Sequence, residues 1–396
     1  MNNEQLKKYM VLLVTGAIII QRLSMALGNL CLGLAVLIFF ILLQRERTLL
    51  TVNKELAGYY RAFAFFMLCL LPSILFTTGS VVGSAKVFVG MWLYRAMPFI
   101  ILTLFVRKNE AVPKLLTWWA AGLCLDAIVC VSQYGLQLAP RGWGFGGNTL
   151  TLPGILCMLM PMLLIVILDE NFVQKQKNIS KVMFGICFMG VLAGFSRGAW
   201  LDLLILLPLV ALPYVLKSPK KLFGFVLALV LVLGLFSTQP TLVAKVKSMG
   251  NFTTNTSNLG RVWVWQSTVH MIADHPLVGV GPGEWRRAYR EQYRLPVEKQ
   301  DLVHSHNSYL QVFAENGLIG LIGCVSFFAY LLYNNGKMWL QTKNPYALML
   351  LASCTGMLLN GITDNNFDNS ALIKTFWFLL GCLLLLRNQH QVVCKD

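Results

Sequence analysis

The residues whose chemistry is most informative lie in the segment HSHNSYLQVFAENGLIG, residues 304–320. This segment ends a long hydrophilic stretch and begins a hydrophobic one, so its polar side chains fall where water meets a membrane. Histidine takes up and returns a proton near neutral pH, which suits it to acid–base catalysis. Ser308 and Gln311 predict a capping box that starts a helix at about Asn307. His306 would then lie beside the positive end of a helix dipole, where an anion binds favourably.

Arginines in three other segments are candidates for binding an anion on the same side of the membrane. Arg197 lies in FSRGAW, where one predicted span turns into the next, and Arg261 lies at the start of a stretch with helical spacing that His275-Pro276 ends. Three further arginines recur every four residues and predict one basic helical face, suited to phosphate groups but equally typical of a solvated helix: Arg286, Arg290 and Arg294.

The composition excludes a soluble globular protein. Of the 396 residues, 56% are hydrophobic and 13% are charged, whereas soluble domains average about 25% charged residues. Apolar runs near 20 residues long recur along the chain, which is typical of a polytopic helical membrane protein. The ten cysteines contain no C-x-x-C pair, and nine lie in apolar runs, so we interpret them as small buried hydrophobic residues.

An all-α polytopic fold of about twelve transmembrane helices follows from these runs. Basic residues concentrate in alternate connections, so the positive-inside rule predicts that both termini are cytoplasmic. Residues 1–238 then hold spans 1–9, residues 239–305 form one large extracytoplasmic loop, and residues 306–396 hold spans 10–12 and a short tail. The net charge of +16 thereby reflects topology and not nucleic-acid binding. The predicted spans are 9–21, 24–43, 61–78, 87–106, 115–138, 150–168, 182–195, 199–216, 222–238, 307–333, 345–362 and 371–386. The cytoplasmic set of basic residues is Lys7, Lys8, Arg45, Arg47, Lys54, Arg107, Lys108, Lys114, Lys175, Lys177, Lys181, Lys217, Lys220, Lys221, Lys337, Lys343, Arg387 and Lys395.

Four charged residues within predicted spans are candidates for function or for structural pairing. Arg95 and Asp126 lie in the middle of their spans, and their pairing is one example of the structural alternative. For Asp126, Asp202 and Lys374 we favour that alternative. The last outer connection, TDNNFDNS at residues 363–370, is suited to hydrogen-bonding sugar hydroxyls or closing a site, and equally to being a solvated loop.

Three segments together resemble the O-antigen ligase and polymerase superfamily. They are SRGA at 196–199, the stretch from Gly260-Arg261 through Asp274-His275-Pro276 to Gly281, and His306-Asn307 followed by Gly317 and Gly320. Their order around one long outer loop and the twelve predicted spans carry the resemblance. The two glycines, one turn apart, also predict that a neighbouring backbone approaches closely.

The resemblance implies a GT-C-like membrane enzyme that transfers a glycan from undecaprenyl diphosphate on the extracytoplasmic face of the bacterial inner membrane. It implies that Arg197 and Arg261 hold the diphosphate and that His306 activates the acceptor hydroxyl as a catalytic residue. We expect His304, Asn307, Arg286, Arg290 and Arg95 to support substrate binding. Arginine neutralises a leaving diphosphate permanently and bidentately, and histidine polarises a hydroxyl.

The chain has no D-x-D motif and no His/carboxylate cluster at metal-binding spacing, so we predict no metal, no cofactor and a metal-independent displacement with inversion at the anomeric carbon. The single long loop favours ligation of O-antigen to lipid A–core. A glycan polymerase and a protein O-oligosaccharyltransferase of the same superfamily remain alternatives. A secondary transporter is the alternative from a different class, and it would depend on the charges at mid-span.

Overall fold

The computed structural model describes residues 2–46, 54–106, 111–250, 255–298 and 301–393. Within these ranges the chain forms helices and turns and no strand, so the predicted all-α class is confirmed. Arg47, Arg107, Lys108, Lys395 and Cys394 lie outside the described residues. The α-helices are α1 (Asn3–Ile20), α2 (Met25–Arg45), α3 (Ala57–Leu75), α4 (Val81–Phe88), α5 (Arg95–Phe105), α6 (Val112–Gly135), α7 (Thr151–Leu168), α8 (Gln174–Ala193), α9 (Arg197–Val215), α10 (Pro219–Ser237), α11 (Pro240–Lys247), α12 (Thr256–Asp274), α13 (Trp285–Ala288), α14 (Ser308–Thr342), α15 (Pro345–Asn360) and α16 (Ser370–Val393).

Eight helical segments of the described chain are long and apolar enough to cross a membrane, so the protein is a multi-pass membrane protein. One of them, Val81–Phe105, joins α4 to α5 through the π-helical segment Val89–Tyr94. The others are α2, α3, α6, α7, α9, α14 and α16. Helices also occupy the other four predicted spans, at α1, α8, α10 and α15, of which α15 has 16 residues. The count of twelve spans stays a prediction.

Helix α16 forms the centre of the bundle. In its apolar segment 94% of the residues are buried, against 28% in α2, because α16 is packed by α5 and α15 and contacts α7 and α1. Trp377 of α16 packs edge-on against Phe63 of α3, with ring centroids 5.2 Å apart, and its ring centroid lies 5.4 Å from that of Phe327 of α14. A helix that is apolar on all sides suits a protein core or a membrane span, and α16 is surrounded by other helices on nearly all sides.

Hydrogen bonds join the alternate connections of the bundle to one another at one end. The backbone N–H of Thr78 donates to Val280 at 2.9 Å, and the N–H of Ser308 donates to Gly361 at 2.8 Å. We call this the loop end of the bundle. Among the described residues it comprises 21–24, 76–80, 136–150, 194–196, 238–250, 255–298, 301–307 and 361–369.

A break in α14 anchors the long connection to the bundle. Gly317 has φ +63° and ψ −170°, which interrupts the helix. The N–H of Leu318 donates to the carbonyl of Pro276 at 2.8 Å, and the N–H of Val280 donates to the carbonyl of Ala314 at 2.9 Å. A Cβ atom at Gly317 would lie 2.2 Å from the carbonyl of Leu277. The predicted close backbone approach is thus confirmed, and its partner is the segment that follows α12.

Helices α12 and α13 form a small apolar core of their own against α14. Trp285 stacks on Tyr289 with ring centroids 4.8 Å apart, and its indole N–H donates to Thr268 of α12 at 3.2 Å. Val264 and Ala314 are completely buried in the same core. The predicted helix through Asp274 is confirmed as α12, with His275 as its C-cap. Helices α12 and α13 are therefore packed against the N-terminal half of α14.

Candidate functional site

Asn307 fixes the start of α14, directly after His306. Its side-chain oxygen accepts hydrogen bonds from the N–H groups of Tyr309 and Leu310, each at 2.9 Å, and its amide nitrogen donates to the carbonyl of Ile362 at 3.0 Å. The predicted helix start is confirmed. Asn307, proposed from the sequence as a substrate-binding residue, is an N-cap that also ties α14 to the connection between α15 and α16.

The predicted capping box between Ser308 and Gln311 is wrong, because Asn307 already satisfies the first free N–H groups of the helix. Gln311 instead accepts a hydrogen bond from the N–H of Ser305 at 2.8 Å. The hydroxyl of Ser308 donates to the carbonyl of Asp364 at 3.0 Å. Both side chains therefore hold the segments on either side of the site and leave the cap to Asn307.

His306 is held in an unusual backbone conformation by its neighbours. Its φ is +52°, in the left-handed region. Its N–H donates to Nδ1 of His304 at 3.1 Å, and its own Nδ1 lies 3.3 Å from Oδ1 of Asp364. The preceding carbonyl, of Ser305, accepts a hydrogen bond from the indole of Trp265 on α12 at 3.0 Å. The imidazole is thus oriented by a carboxylate, as a general base requires.

Burial and charge set the protonation of the two groups beside His306. Burial lowers the pKa of His304 below its usual value, and the nearby charge of His306 lowers it further. Burial alone would raise the pKa of Asp364, but the hydrogen bond from His306 and the charges of both histidines outweigh this and hold that pKa below its usual range. At neutral pH, His304 is therefore an uncharged acceptor and Asp364 is ionised.

A cavity of about 300 Å³ at the loop end brings the predicted catalytic residues together. It is lined by Arg197, Arg261 and His306, together with Arg141 and Asp364. We call it the arginine pocket. Three arginines and one carboxylate give it a formal charge of +2 when His306 is neutral. A concave site with a few convergent polar groups and a net positive charge suits an anionic ligand.

Arg197 and Arg261 are carried by two helices that meet at the pocket. Arg197, the first residue of α9, donates to the hydroxyl of Ser248 at 3.1 Å and to the side-chain oxygen of Asn258 at 3.0 Å. Arg261 lies one turn after Asn258 on α12. Burial lowers the pKa of Arg261, and the charge of Arg197 lowers it further, whereas Asp364 opposes the shift. The two neighbouring guanidinium groups repel each other, so a bound anion would be favoured because it reduces this repulsion.

Arg286 and Arg290 do not line the arginine pocket. Both pair with Asp301, Arg286 at 3.0 Å. Arg294 lies outside the helix, since the π-helical turn Tyr289–Tyr293 shifts the register, and it donates to the carbonyl of Glu298 at 2.9 Å. The continuous basic face predicted for the three arginines is therefore absent. Because Asp301 directly precedes Leu302, which lines the pocket, this ion pair fixes the segment that leads to His306.

Arg95 also lies outside the arginine pocket and makes hydrogen bonds to the connection between α15 and α16. It donates to the carbonyls of Phe367 at 3.1 Å and Asp368 at 2.8 Å. The suggested pairing of Arg95 with Asp126 is wrong, because Asp126 pairs with Arg22 at 2.6 Å. Arg22 reaches Asp126 from the connection between α1 and α2, whereas Arg95 begins α5 after a π-helical turn, a feature common where a helix serves a site.

The two other charged residues within spans, Asp202 and Lys374, make hydrogen bonds to side-chain amides, and the structural roles favoured for them stay predictions. Asp202 accepts a hydrogen bond from the amide of Asn360 at 2.9 Å. Lys374 donates to the side-chain oxygen of Asn29 at 2.6 Å. Each charge is thereby held by an amide of a neighbouring helix, as a buried ionisable group requires.

Arg141 is a site residue that the sequence did not single out, and Asp364 was noted only as part of the segment 363–370, without a role of its own. Asp364 lies 58 residues beyond His306, so no local spacing relates the two. The donor atoms of His304, His306 and Asp364 lie within 4.8 Å of one another, a set that offers ligands for a divalent cation. The sequence missed this cluster for the same reason. In the structure, Nδ1 of His304 and Nδ1 of His306 already make hydrogen bonds within the cluster.

Comparison with known proteins relates this region to glycan-transferring membrane proteins. The family model for O-antigen ligase matches residues 182–325, a range that contains Arg197, Arg261 and His306. The chain is also similar to the exopolysaccharide production protein ExoQ of Rhizobium meliloti (strain 1021), with 34% identity over 79 residues. That match covers 19% of this chain and 18% of the relative. The resemblance to the O-antigen ligase and polymerase superfamily is thus confirmed.

Proposed function

We propose that the protein transfers a glycan from undecaprenyl diphosphate to an acceptor hydroxyl, because the family model for O-antigen ligase matches residues 182–325. We further propose that the acceptor is lipid A–core and that the reaction takes place at the periplasmic face of the inner membrane. The observation that carries the proposal is the arginine pocket, in which Arg141, Arg197 and Arg261 share one cavity with the His306–Asp364 pair.

The charge of the pocket fits the donor. A diphosphate that links a lipid to a sugar is a diester with two negative charges, which match the formal +2 of the pocket. When the sugar leaves, a further negative charge develops on the diphosphate, and guanidinium groups are suited to stabilise it because they are permanently charged and bind phosphate oxygens bidentately. Arg197 and Arg261 would bind the two phosphates, with Arg141 at the rim.

The acceptor is activated by His306. Its contact with Asp364 through Nδ1 favours the tautomer with the proton on Nδ1, which leaves Nε2 unprotonated and able to accept the proton of the acceptor hydroxyl. The acceptor oxygen then forms a bond to the anomeric carbon while the bond from that carbon to the phosphate oxygen breaks. Its electron pair remains on the diphosphate. Attack opposite the leaving group inverts the anomeric configuration, and the step needs no metal ion.

A second acceptor class is favoured by the comparison with the Rhizobium protein, whose name refers to exopolysaccharide production. The same donor pocket would serve if the acceptor were the end of a growing glycan. The transport alternative has less support, because Arg95, Asp126, Asp202 and Lys374 are all engaged by protein partners and do not form one central site.

Glycan gels of cell envelopes test the proposal. A strain that lacks the gene is complemented with the wild type, with His306→Ala or with Asp274→Asn, a charge removal outside the arginine pocket. We expect the wild type and Asp274→Asn to attach long glycan to lipid A–core and His306→Ala to leave it on the lipid carrier. In the strain that lacks the gene, bare core together with polymer on the lipid carrier indicates that the protein is a ligase. In the same strain, core that bears a single repeat unit indicates that the protein is a polymerase. Full transfer by His306→Ala, at wild-type protein levels, would exclude His306 from the reaction.

A further inference from the structure

A second cavity is also lined by the His306–Asp364 pair. It has a volume of about 490 Å³ and shares only Leu150, His306 and Asp364 with the arginine pocket. Its other lining side chains include four carboxamides. We call it the amide pocket: Gln21, Asn148, Asn365 and Asn369, together with Asp368 and the shared His306 and Asp364.

Two of these carboxamides carry buried polar atoms without a hydrogen-bond partner. Asn365 is only 3% exposed, and neither its side-chain oxygen nor its side-chain nitrogen has a partner among the described residues. Gln21 is also 3% exposed, and while its nitrogen donates to the carbonyl of Ala371 at 3.2 Å, its oxygen has no partner there. Buried polar atoms are satisfied in the great majority of cases, so two such side chains in one cavity indicate that a ligand completes them.

The chemistry of the cavity defines the ligand. An amide with both a free donor and a free acceptor is complementary to a hydroxyl, which is itself both. Arg22 lies in this cavity but is paired with Asp126 at 2.6 Å, so Asp364 and Asp368 leave the cavity with a negative formal charge. A phosphate would be repelled, whereas an uncharged sugar residue would find the unpartnered atoms of Asn365 and Gln21 and the carboxylates of Asp364 and Asp368 as hydrogen-bond partners.

We propose that the amide pocket binds the terminal, uncharged sugar of the acceptor and presents one of its hydroxyls to His306. This inference rests on the proposed function, since it requires that the arginine pocket holds the donor. The two substrates then meet at His306 and Asp364 from separate cavities, and inversion requires the acceptor hydroxyl to face the anomeric carbon opposite the leaving diphosphate. Because the unpartnered atoms of Asn365 are shielded from solvent, its amide turns toward the cavity as the sugar enters.

Binding to the purified full-length protein in nanodiscs tests the inference. The probes are inorganic diphosphate for the arginine pocket and dephosphorylated lipopolysaccharide core oligosaccharide for the amide pocket. We expect both to raise the unfolding temperature of the wild type, with additive effects. Asn365→Leu should weaken oligosaccharide binding at least tenfold and leave diphosphate binding unchanged, and Arg261→Gln should do the reverse.

Asn365→Leu removes only polar atoms that lack partners, so the variant should be at least as stable as the wild type. In the matched control Asn335→Leu, the lost amide is also buried but donates to the carbonyl of Leu331 at 2.7 Å and accepts from Arg387 at 2.9 Å. That control should lose stability and keep its oligosaccharide affinity. If Asn365→Leu does not fold, Asn148→Ala tests the same cavity at an exposed position.

The possible failures are distinct. Diphosphate binding without oligosaccharide binding would overturn the acceptor site and leave the donor site standing. Oligosaccharide binding that competes with diphosphate would show that there is one pocket and not two. Oligosaccharide binding without diphosphate binding would contradict the proposed function instead, and unchanged oligosaccharide affinity in both Asn365→Leu and Asn148→Ala would refute the assignment of the amide pocket.

Discussion

Replacing Asp364 with Asn tests whether the carboxylate assists His306. The two side chains are 25% and 14% exposed, and Nδ1 of His306 lies 3.3 Å from Oδ1 of Asp364. When His306 takes a proton, the attraction between the two charges at this distance is about 5 kcal/mol at an effective dielectric constant near 20. Much of that is offset by desolvation, and a hydrogen bond to a charged group contributes about 1.5–3 kcal/mol net.

The expected result is a fall in kcat of about 10- to 150-fold, since about 1.4 kcal/mol corresponds to a factor of ten. The KM for the lipid-linked donor should change little, because the arginines are untouched. The side-chain oxygen of the new Asn can still accept the hydrogen bond that the N–H of Asn365 gives to Asp364 at 2.9 Å, so the connection should keep its shape. Transfer is measured with purified protein in liposomes, with donor and acceptor varied separately.

The matched control is Asp274→Asn, which removes a carboxylate that accepts a hydrogen bond from the hydroxyl of Tyr293 at 2.9 Å. It should leave kcat within a factor of two of the wild type. If Asp364→Asn folds with the wild-type unfolding temperature and also keeps kcat within a factor of three, the carboxylate does not stabilise the protonated imidazole. His306 would then act without Asp364.

Three further predictions concern the backbone, the pH dependence and the metal. Gly317→Ala should lower the free energy of unfolding by at least about 3 kcal/mol, because a Cβ atom there would lie 2.2 Å from the carbonyl of Leu277. Thermal unfolding measures this change. The control is Gly185→Ala, since no atom lies within 4 Å of a Cβ placed at Gly185. Burial lowers the pKa of His304 below 6.5 in the folded protein. The contribution of His304 to stability is therefore complete above pH 6.5 and is lost as the pH falls toward the lower pKa of the folded state. The unfolding temperature should fall across this pH range for the wild type and fall less for His304→Gln. EDTA should leave the rate of transfer unchanged, because Nδ1 of His304 is occupied by the N–H of His306, and loss of activity that zinc or manganese restores would show instead that the cluster binds a metal.

Local patterns in the sequence were sufficient for the elements of the fold. Apolar runs identified the helices, and the spacing from Gly260 to Asp274 identified α12, because hydrophobic burial and helical geometry both act over neighbouring residues. The candidates Arg197, Arg261 and His306 also came from local motifs. Their meeting in one cavity agrees with the prediction that all three lie on the same side of the membrane.

Partners that are distant in the sequence could not be predicted in this way. Arg22 and Asp126 are 104 residues apart, and the contact of Asp364 with His306 depends on how α15 and α16 pack beside α14. A single chain contains no local signal for such pairs. The position of Arg294 on the predicted basic face was wrong for another reason. Nothing in the residue types of Tyr289–Tyr293 marks a π-helical turn, which adds one residue to the turn and so rotates the residues that follow.

Contacts around the site form two groups, which α12 and α9 join to α14 and α15. The His306–Asp364 pair is held by backbone links between α14 and the last connection, through Asn307 and Ser308. Arg197 and Arg261 are carried by α9 and α12, and Arg197 donates a hydrogen bond to Asn258 of α12. Trp265 of α12 donates a hydrogen bond to the carbonyl before His306, and Asn360, the last residue of α15, donates to Asp202 of α9. Since α12 carries both Arg261 and Trp265, we expect a diphosphate bound by Arg261 to affect the hydrogen bond from Trp265 to the carbonyl before His306. Under the proposed function, α12 would then couple donor binding to the positioning of His306.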